Sequence, residues 1–253
     1  MFNRELSSIM TQSKLILGNW KMHGDQVSVR HYITAIISIQ RTVHEVGLML
    51  PFCYLSLFQQ QLGSVHWGLG AQDVSQFTNT GAYTGEVSAR MLADCGVTFA
   101  LVGHSERRQY FVEDDRVLRA KLKSLLTTDI MPVFCVGESA QDKANGQQKK
   151  ILQKQLQPLI EEQVKKIVVA YEPVWAIGSG KTPTKTEIEE SLEFIGNYLL
   201  SRLNQPDKIR LLYGGSVSES NAAEIAHSSY VSGLLVGSAS LRPDGFIRII
   251  QSI

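Results

Sequence analysis

Eight short apolar segments spread along the chain constrain its fold more than any other feature. Six are clear and two, those ending at 50 and 71, are weaker. Continuous apolar runs without alternation are typical of strands buried on both faces, as in a parallel sheet. On average the segments end about 30 residues apart, the length of a strand–helix–strand unit. They end near positions 17, 50, 71, 102, 136, 170, 213 and 236.

The stretches between these segments have helical periodicity. After the sixth segment, Thr184 and Glu187 have the spacing of a capping box, which predicts a helix start. Five apolar residues that follow fall on one helical face: Ile188, Leu192, Ile195, Leu199 and Leu203. Eight strands, each followed by a helix, in about 250 residues predict an α/β protein with a single-domain (β/α)8 barrel. Periodicity alone also allows an open, doubly wound sheet.

One barrel accounts for nearly the whole length. The chain has 253 residues, of which 43% are hydrophobic, so there is ample material for one large core. We assign residues 14–253 to the barrel and residues 1–13 to a flexible N-terminal extension. That extension is mixed polar and lacks the apolar region of a secretory signal. Met1 and Met10 are both candidate initiators.

Charge and cysteine content exclude several classes of protein. The net charge is +1, which argues against nucleic-acid binding and against a polybasic membrane patch. No apolar stretch approaches the roughly 18 residues of a membrane span. Three cysteines (Cys53, Cys95 and Cys135) form no C-x-x-C pair, so neither a zinc site nor a disulfide framework is indicated. We expect reduced, buried thiols in a cytoplasmic protein.

Polar and glycine residues follow the predicted strands directly. In a parallel barrel these positions share one rim, where active sites lie. A glutamate can take a proton, a histidine and a lysine can polarise an oxygen, and glycine N–H groups can bind phosphate. This set fits acid–base chemistry on a small phosphorylated carbonyl compound without metal or cofactor. The segments are Gly18-Asn19-Trp20-Lys21, Gly103-His104-Ser105-Glu106, Tyr171-Glu172-Pro173, Gly214-Gly215-Ser216 and Gly237-Ser238.

Each of these residues also has an ordinary structural interpretation. A lone lysine such as Lys21 is most often a solvated charge, and position alone divides His104 evenly between a functional and a structural role.

Gly180-Lys181-Thr182 matches the end of a P-loop, but Trp175 stands where that motif needs its first glycine. The glycines here fit better as the end of a mobile lid that starts at Pro173.

Five longer motifs, in order and correctly spaced, resemble the triosephosphate isomerase family from about Lys14 to Ile253. The resemblance implies the interconversion of dihydroxyacetone phosphate and D-glyceraldehyde 3-phosphate in glycolysis and gluconeogenesis. The motifs are Gly18-Asn19-Trp20-Lys21-Met22, Gly81-Ala82-Tyr83-Thr84-Gly85-Glu86, Gly103-His104-Ser105-Glu106-Arg107-Arg108, Ala170-Tyr171-Glu172-Pro173-Val174-Trp175-Ala176-Ile177-Gly178 and Tyr213-Gly214-Gly215-Ser216-Val217.

The resemblance also implies a role for each matched residue; this division of roles is that known for the family. Glu172 is then the base that moves a proton between two carbons through an enediolate. His104, neutral, polarises the carbonyl, Lys21 offsets negative charge, and Asn19 holds substrate oxygens. The resemblance implies no metal and no cofactor. Phosphate is bound by Gly178, Ser216, Gly237 and Ser238, under a lid from Pro173 to Gly180.

The family is usually dimeric. The resemblance implies a homodimer formed through the loop Gln76–Glu86, with Thr84 near the partner's lysine. Two other functions stay open on the residues alone. One is a different phosphate-binding barrel, such as a sugar-phosphate isomerase of amino-acid biosynthesis. The other is a non-catalytic barrel that acts as a binding or surface-interaction protein, against which the intact set Lys21, His104 and Glu172 argues.

Two positions near the expected site depart from the family pattern. Ser238 stands where the family usually has a second glycine, and His23 stands where asparagine is common. If position 238 needs a positive φ, a serine there costs about 1–2 kcal/mol. We expect phosphate binding to persist at Ser238 and little effect of His23 on the chemistry.

Overall fold

The eight apolar segments form a closed barrel in a computed structural model, which describes residues 13–37, 42–63, 65–177 and 182–253. Each strand pairs in parallel with the next, and the last pairs with the first. The barrel prediction is confirmed, and this closing pair excludes the open, doubly wound sheet. The strands are β1 (Leu15–Asn19), β2 (Glu45–Leu50), β3 (Trp67–Ala71), β4 (Phe99–Val102), β5 (Met131–Val136), β6 (Lys166–Tyr171), β7 (Lys208–Tyr213) and β8 (Gly233–Val236).

Helices connect successive strands around the outside of the barrel. They are α1 (Gln26–Ile37), α2 (Phe52–Leu62), α3 (Ala89–Asp94), α4 (Ser105–Tyr110), α5 (Asp115–Leu125), α6 (Ala140–Ala144), α7 (Gln148–Glu161), α8 (Lys185–Arg202), α9 (Ala222–Ala226) and α10 (Pro243–Ser252). The predicted capping box begins α8: the Thr184 hydroxyl accepts from the Glu187 N–H, and the Glu187 carboxylate accepts from the Thr184 N–H. These reciprocal bonds satisfy donors that a helix start leaves unpaired.

Two apolar layers hold the barrel together. Side chains of alternate strand positions fill its interior, among them Leu17, Leu101 and Leu212, all nearly inaccessible to solvent. The other strand positions pack outward against the helices, as Ile16 and Phe134 do. Burial on both faces explains why the strands are apolar runs without alternation.

The closing seam between β1 and β8 depends on one glycine. Leu15 lies opposite Gly233 in the register of this pair. A Cβ atom built on Gly233 would lie 1.8 Å from the Leu15 carbonyl oxygen. No side chain fits there, so glycine is required for the last strand to reach the first.

Three features bear on the class of protein. Within the described ranges, no helix is long and apolar enough to cross a membrane. The three cysteines are free, but only Cys135 is buried, while Cys95 is half-buried and Cys53 is exposed. The prediction of buried thiols is therefore wrong for Cys53, which lies in the exposed first turn of α2. The expected flexible extension, residues 1–13, lies outside the described residues apart from Ser13.

Candidate active site

A cavity of about 270 Å³ opens at the rim formed by the carboxyl ends of the strands. Because parallel strands all end at this rim, residues distant in sequence come together there. The structure brings together all but one of the candidate residues in the cavity wall; Gly178 lies outside the described residues. Those in the wall are Asn19, Lys21, His104, Glu172, Ser216, Gly237 and Ser238.

The Glu172 carboxylate is almost completely buried, with 2% of the residue exposed. Glu172 follows β6, and its N–H continues the strand ladder by donating to the Val136 carbonyl at 2.7 Å. One carboxylate oxygen accepts from the Ser105 N–H at 3.2 Å. The other lies 3.2 Å from His104 Nε2. A carboxylate in this position can act as a general base toward a ligand in the cavity.

His104 lies two residues beyond β4 and is the N-cap of α4, and the residue is 5% exposed. Its Nδ1 accepts from the Glu106 N–H at 3.3 Å, so this nitrogen carries no proton. The Glu106 carboxylate is 3.7 Å from Nδ1, too far to replace that hydrogen bond. We therefore assign a neutral imidazole with its proton on Nε2. The protonated Nε2 faces the cavity and donates toward the Glu172 carboxylate, 3.2 Å away, while the Asn19 amide nitrogen, also a donor, lies 3.3 Å from Nε2 and makes no hydrogen bond to it in this tautomer.

Lys21 lies two residues beyond β1 and has a left-handed backbone with a φ of 52°. Its N–H donates to the Asn19 side-chain oxygen at 3.0 Å. Its ammonium forms an ion pair with Glu106 at 2.5 Å. Because an ammonium has three donors, two remain for a ligand in the cavity.

The loops after β7 and β8 form the opposite wall. The Ser216 hydroxyl donates to the Ala176 carbonyl at 2.6 Å and so joins this wall to the segment after β6. Gly237 precedes a 3₁₀ turn, Ser238–Leu241. The first N–H groups of such a turn have no partner within it and can bind an anion. Among the described non-glycine residues, Ser238 is not one of those with positive φ, so the anticipated backbone strain is absent.

Comparison with known proteins decides the family. Residues 14–253 match the family model described as triosephosphate isomerase. The chain belongs to the triosephosphate isomerase family. It is similar to the triosephosphate isomerase of Neisseria meningitidis, with 42% identity over 249 residues that cover 96% of this chain and 98% of the relative. It is also similar to those of Albidiferax ferrireducens, with 39% identity over 95% of this chain and 99% of the relative, and Delftia acidovorans, with 40% identity over the same shares.

This isomerase also uses a buried residue that the sequence analysis did not single out. Glu138 directly follows Gly137 after β5 and is fully buried. One of its carboxylate oxygens accepts from the Tyr171 hydroxyl at 3.0 Å and the Trp175 indole at 2.9 Å. Burial and the nearby Glu138 raise the pKa of Tyr171, so the phenol stays protonated as a donor. Glu138 thus anchors the beginning of the predicted lid; its position after a strand was the available signal.

Cys135 lies beneath Glu172 in β5. Burial raises the pKa of the Cys135 thiol well above its ordinary value, and the neighbouring Glu172 carboxylate raises it further. A thiol held in its neutral form is a poor nucleophile. Cys135 therefore packs the barrel interior and contributes no nucleophilic chemistry to this site.

A buried ionic cluster supports α4 from behind. Arg107, the neighbour of Glu106, pairs with Asp73 at 2.9 Å and with Glu113 at 2.6 Å. Lys121 contacts both carboxylates at 2.5 Å. Burial raises the pKa of Asp73, while Lys121 and Arg107 oppose that shift.

In the ranges that the structure describes, no group of three or more His, Cys, Asp or Glu side chains is placed to hold a metal ion.

Proposed function

We propose that this isomerase interconverts dihydroxyacetone phosphate and D-glyceraldehyde 3-phosphate with Glu172 as the base and His104 as the acid. The observation that carries this assignment is the placement of both groups, 3.2 Å apart, in the wall of one cavity in a triosephosphate isomerase barrel. We place the reaction in glycolysis and gluconeogenesis, as is general for the family. The alternative of a non-catalytic binding or surface-interaction protein would not need this pairing.

The reaction is a proton transfer in two steps. Glu172 takes a proton from C1 of dihydroxyacetone phosphate, and the C–H electrons form a double bond to C2 while the carbonyl oxygen gains negative charge. The protonated Glu172 then returns the proton to C2, which takes the electrons of the double bond. The electrons of the O1–H bond form the aldehyde C=O at C1, and the proton released from O1 passes to the C2 oxygen, which becomes a hydroxyl. The atoms and electrons balance within the substrate, so the proposal needs no metal and no redox cofactor.

His104 would stabilise the developing charge on oxygen. Its Nε2–H donates to the carbonyl oxygen, which becomes the enediolate oxygen, and the ring can carry a proton between the two oxygens. A neutral imidazole is suited to this role because the acidity of its N–H group is close to that of the enediol hydroxyl. An imidazolium is a much stronger acid, so its acidity matches less well. Asn19, 3.3 Å from Nε2, is placed to donate to the same oxygens.

Lys21 and the glycine loops would hold the phosphate. The ammonium of Lys21 offsets the charge of the enediolate and the phosphate, while the backbone N–H groups of Ser216, Gly237 and Ser238 and the Ser238 hydroxyl supply donors. We also propose a phosphate contact at Gly178, which lies outside the described residues. Closure of the segment from Pro173 to Gly180 would exclude water, which suppresses loss of phosphate from the intermediate.

The test of the function is the conversion of glyceraldehyde 3-phosphate to dihydroxyacetone phosphate in metal-free buffer containing a chelator. We expect rapid turnover that added metals or nicotinamides do not change. A correctly folded protein without turnover would favour the non-catalytic alternative. Turnover of other sugar phosphates at a similar rate would favour a different isomerase.

Ser238 should not weaken phosphate binding, because its backbone carries no left-handed strain and keeps its N–H. We expect Ser238→Gly to change KM for glyceraldehyde 3-phosphate by less than about threefold, which is under 1 kcal/mol. Steady-state kinetics of both proteins measure this. A KM lowered by about tenfold or more in the glycine variant would show that serine impairs the site.

We also propose a homodimer in which the loop Gln76–Glu86 of one subunit enters the other. A second cavity of about 340 Å³ lies beside the first and includes Lys21 and Glu106 in its wall. Its rim carries exposed apolar side chains: Met22 is 95% exposed and Phe111 is 64% exposed. Exposed apolar clusters of this kind mark association sites. In the loop, Phe77 stacks on Tyr83 with ring centroids 3.7 Å apart, which gives an apolar tip for this cavity.

Met22→Asp should separate the subunits. Met22 is almost fully exposed in the single chain, so a charge there costs the isolated subunit little. In the dimer the same charge would be buried without an opposite charge to pair with it. We expect light scattering to give the mass of a monomer for this variant and of a dimer for the parent. Val43→Asp is the matched control, since Val43 is 81% exposed at the opposite end of the barrel and should leave the mass unchanged. A monomeric parent would refute the dimer.

Two further assignments belong to this proposal. Three free thiols, one of them exposed, fit a reducing compartment, so we place the protein in the cytoplasm. We keep residues 1–13 as an extension ahead of the barrel of residues 14–253, which is supported by the start of the family match at residue 14.

A further inference from the structure

Lys21 has a backbone conformation that L-amino acids avoid. With a φ of 52°, its Cβ crowds its own backbone, and the left-handed region is disfavoured about tenfold or more for such residues. A strained residue keeps such a conformation only when surrounding groups fix it. The proposed function needs the ammonium of Lys21 in the cavity. The groups that fix the Lys21 backbone therefore control the fraction of molecules in which the ammonium is in place.

Two side chains hold the two ends of the Lys21 residue. The Asn19 side-chain oxygen accepts from the Lys21 N–H at 3.0 Å. On the other end, the Gln72 amide nitrogen donates to the Lys21 carbonyl at 2.8 Å. The carbonyl direction sets ψ and the N–H direction sets φ, so together these bonds define the strained conformation.

Gln72 is itself anchored to the barrel. It follows β3, and its amide nitrogen also donates to the Met49 carbonyl in β2 at 2.9 Å. The same Met49 carbonyl accepts from the Trp20 N–H at 3.1 Å, one residue before Lys21. The two amide protons of Gln72 therefore tie the Lys21 carbonyl to a strand end that the barrel already holds in place.

We propose that Gln72 is a positioning residue that keeps Lys21 in its left-handed conformation and so keeps the ammonium in the substrate cavity. Gln72 lies in the wall of the 340 Å³ cavity and not of the 270 Å³ substrate cavity, so it acts through Lys21 rather than on the substrate. The inference rests on the proposed role of Lys21. It goes beyond that role by naming the side chain that holds Lys21 in the conformation needed to bind substrate.

Loss of the Gln72 amide should release the strain. Without it, Lys21 can turn to an ordinary backbone conformation, and Glu106, 2.5 Å from the ammonium, can draw the side chain away from the cavity. If the competent conformer then becomes a minority of about one in ten, apparent affinity for an anion falls by the same factor. Inorganic phosphate, as a competitive inhibitor, reports this loss separately from the chemical step.

The variant Gln72→Met keeps the length of the side chain and removes both donors. We expect kcat/KM to fall about tenfold and the inhibition constant of inorganic phosphate to rise about tenfold. Gln60→Met is the matched control, since Gln60 on α2 donates only to Ser56 on the helix surface, and it should leave both constants unchanged. Gln72→Asn, whose amide is one methylene too short to reach both carbonyls, serves if the methionine variant does not fold.

A double-mutant cycle with Lys21→Met separates positioning from a general structural role. If Gln72 acts through Lys21, adding Gln72→Met to Lys21→Met should lower kcat/KM by less than about twofold. Losses that multiply in the double variant would overturn the proposal. So would a lower melting temperature of Gln72→Met with kcat/KM and phosphate inhibition unchanged. If Lys21→Met itself keeps full activity, the proposed role of Lys21 fails as well.

Discussion

The variant Glu172→Gln should lose about a thousandfold in kcat/KM for glyceraldehyde 3-phosphate, within the range that a positioned base contributes. Glutamine has the same shape, and its side-chain oxygen can still accept from the Ser105 N–H, now 3.2 Å from the carboxylate. An amide cannot take a proton from carbon, however, so the chemical step loses its base. Steady-state kinetics with purified protein measure the loss.

The control for this variant is Glu161→Gln. Glu161 lies near the end of α7, at the opposite end of the barrel from the cavity, and pairs with Arg119 on the surface. Its kcat/KM should stay within about twofold of the parent, since a surface ion pair is worth 1 kcal/mol or less. Both variants should melt close to the parent. Substantial turnover by Glu172→Gln would show that another group removes the proton.

A methyl group added at Gly137 should disable the site without touching any reacting group. Gly137 follows β5, and a Cβ atom there would lie 1.7 Å from the Glu172 carbonyl oxygen. The Gln155 amide holds Gly137 in place by accepting from its N–H at 2.7 Å and donating to its carbonyl at 3.0 Å. The backbone of Glu172 must therefore move, and a displacement of about 1 Å in a catalytic group costs about a hundredfold in rate. We expect Gly137→Ala to lose that much in kcat/KM.

The same variant should also be less stable. Forcing a backbone shift costs about 1–3 kcal/mol, and each kilocalorie lowers the melting temperature by about 2–4 °C in a domain of this size. Gly146→Ala is the matched control. Gly146 has a φ of 66° but open space around it, so alanine there should cost about 1 kcal/mol and leave kcat/KM unchanged. Full activity in Gly137→Ala would mean that the base tolerates a displaced backbone.

The fold could be predicted because each strand of the barrel is an apolar run that can be recognised in the sequence. Burial on both faces removes polar residues from a strand, and the predicted ends lie within two residues of the observed ones. The candidate site followed from the same rule. Since parallel strands end at one rim, a residue such as Glu172 could be placed at the same rim as His104 without any knowledge of contacts.

What the sequence did not reveal depends on contacts between distant backbone segments. Gln72 matters because its amide reaches the carbonyl of Lys21, 51 residues away. Gly137 matters because the carbonyl of Glu172, just beyond the next strand, occupies the space of its missing side chain. Glu138 matters because Trp175 and Tyr171 fold back onto it. Hydrophobic periodicity says nothing about any of these, since each depends on loop paths that only the closed barrel defines.

The closing pair of the barrel has a consequence for how the chain is made. Because β1 pairs with β8, the first strand keeps one unpaired edge until Gly233 and its neighbours are available. On a ribosome, nearly the whole chain must therefore be synthesised, and its end must leave the exit tunnel, before the first strand is fully paired. Non-local pairing of this kind slows folding and leaves a strand edge open to other chains. We expect the nascent chain to bind chaperones until its last strand emerges.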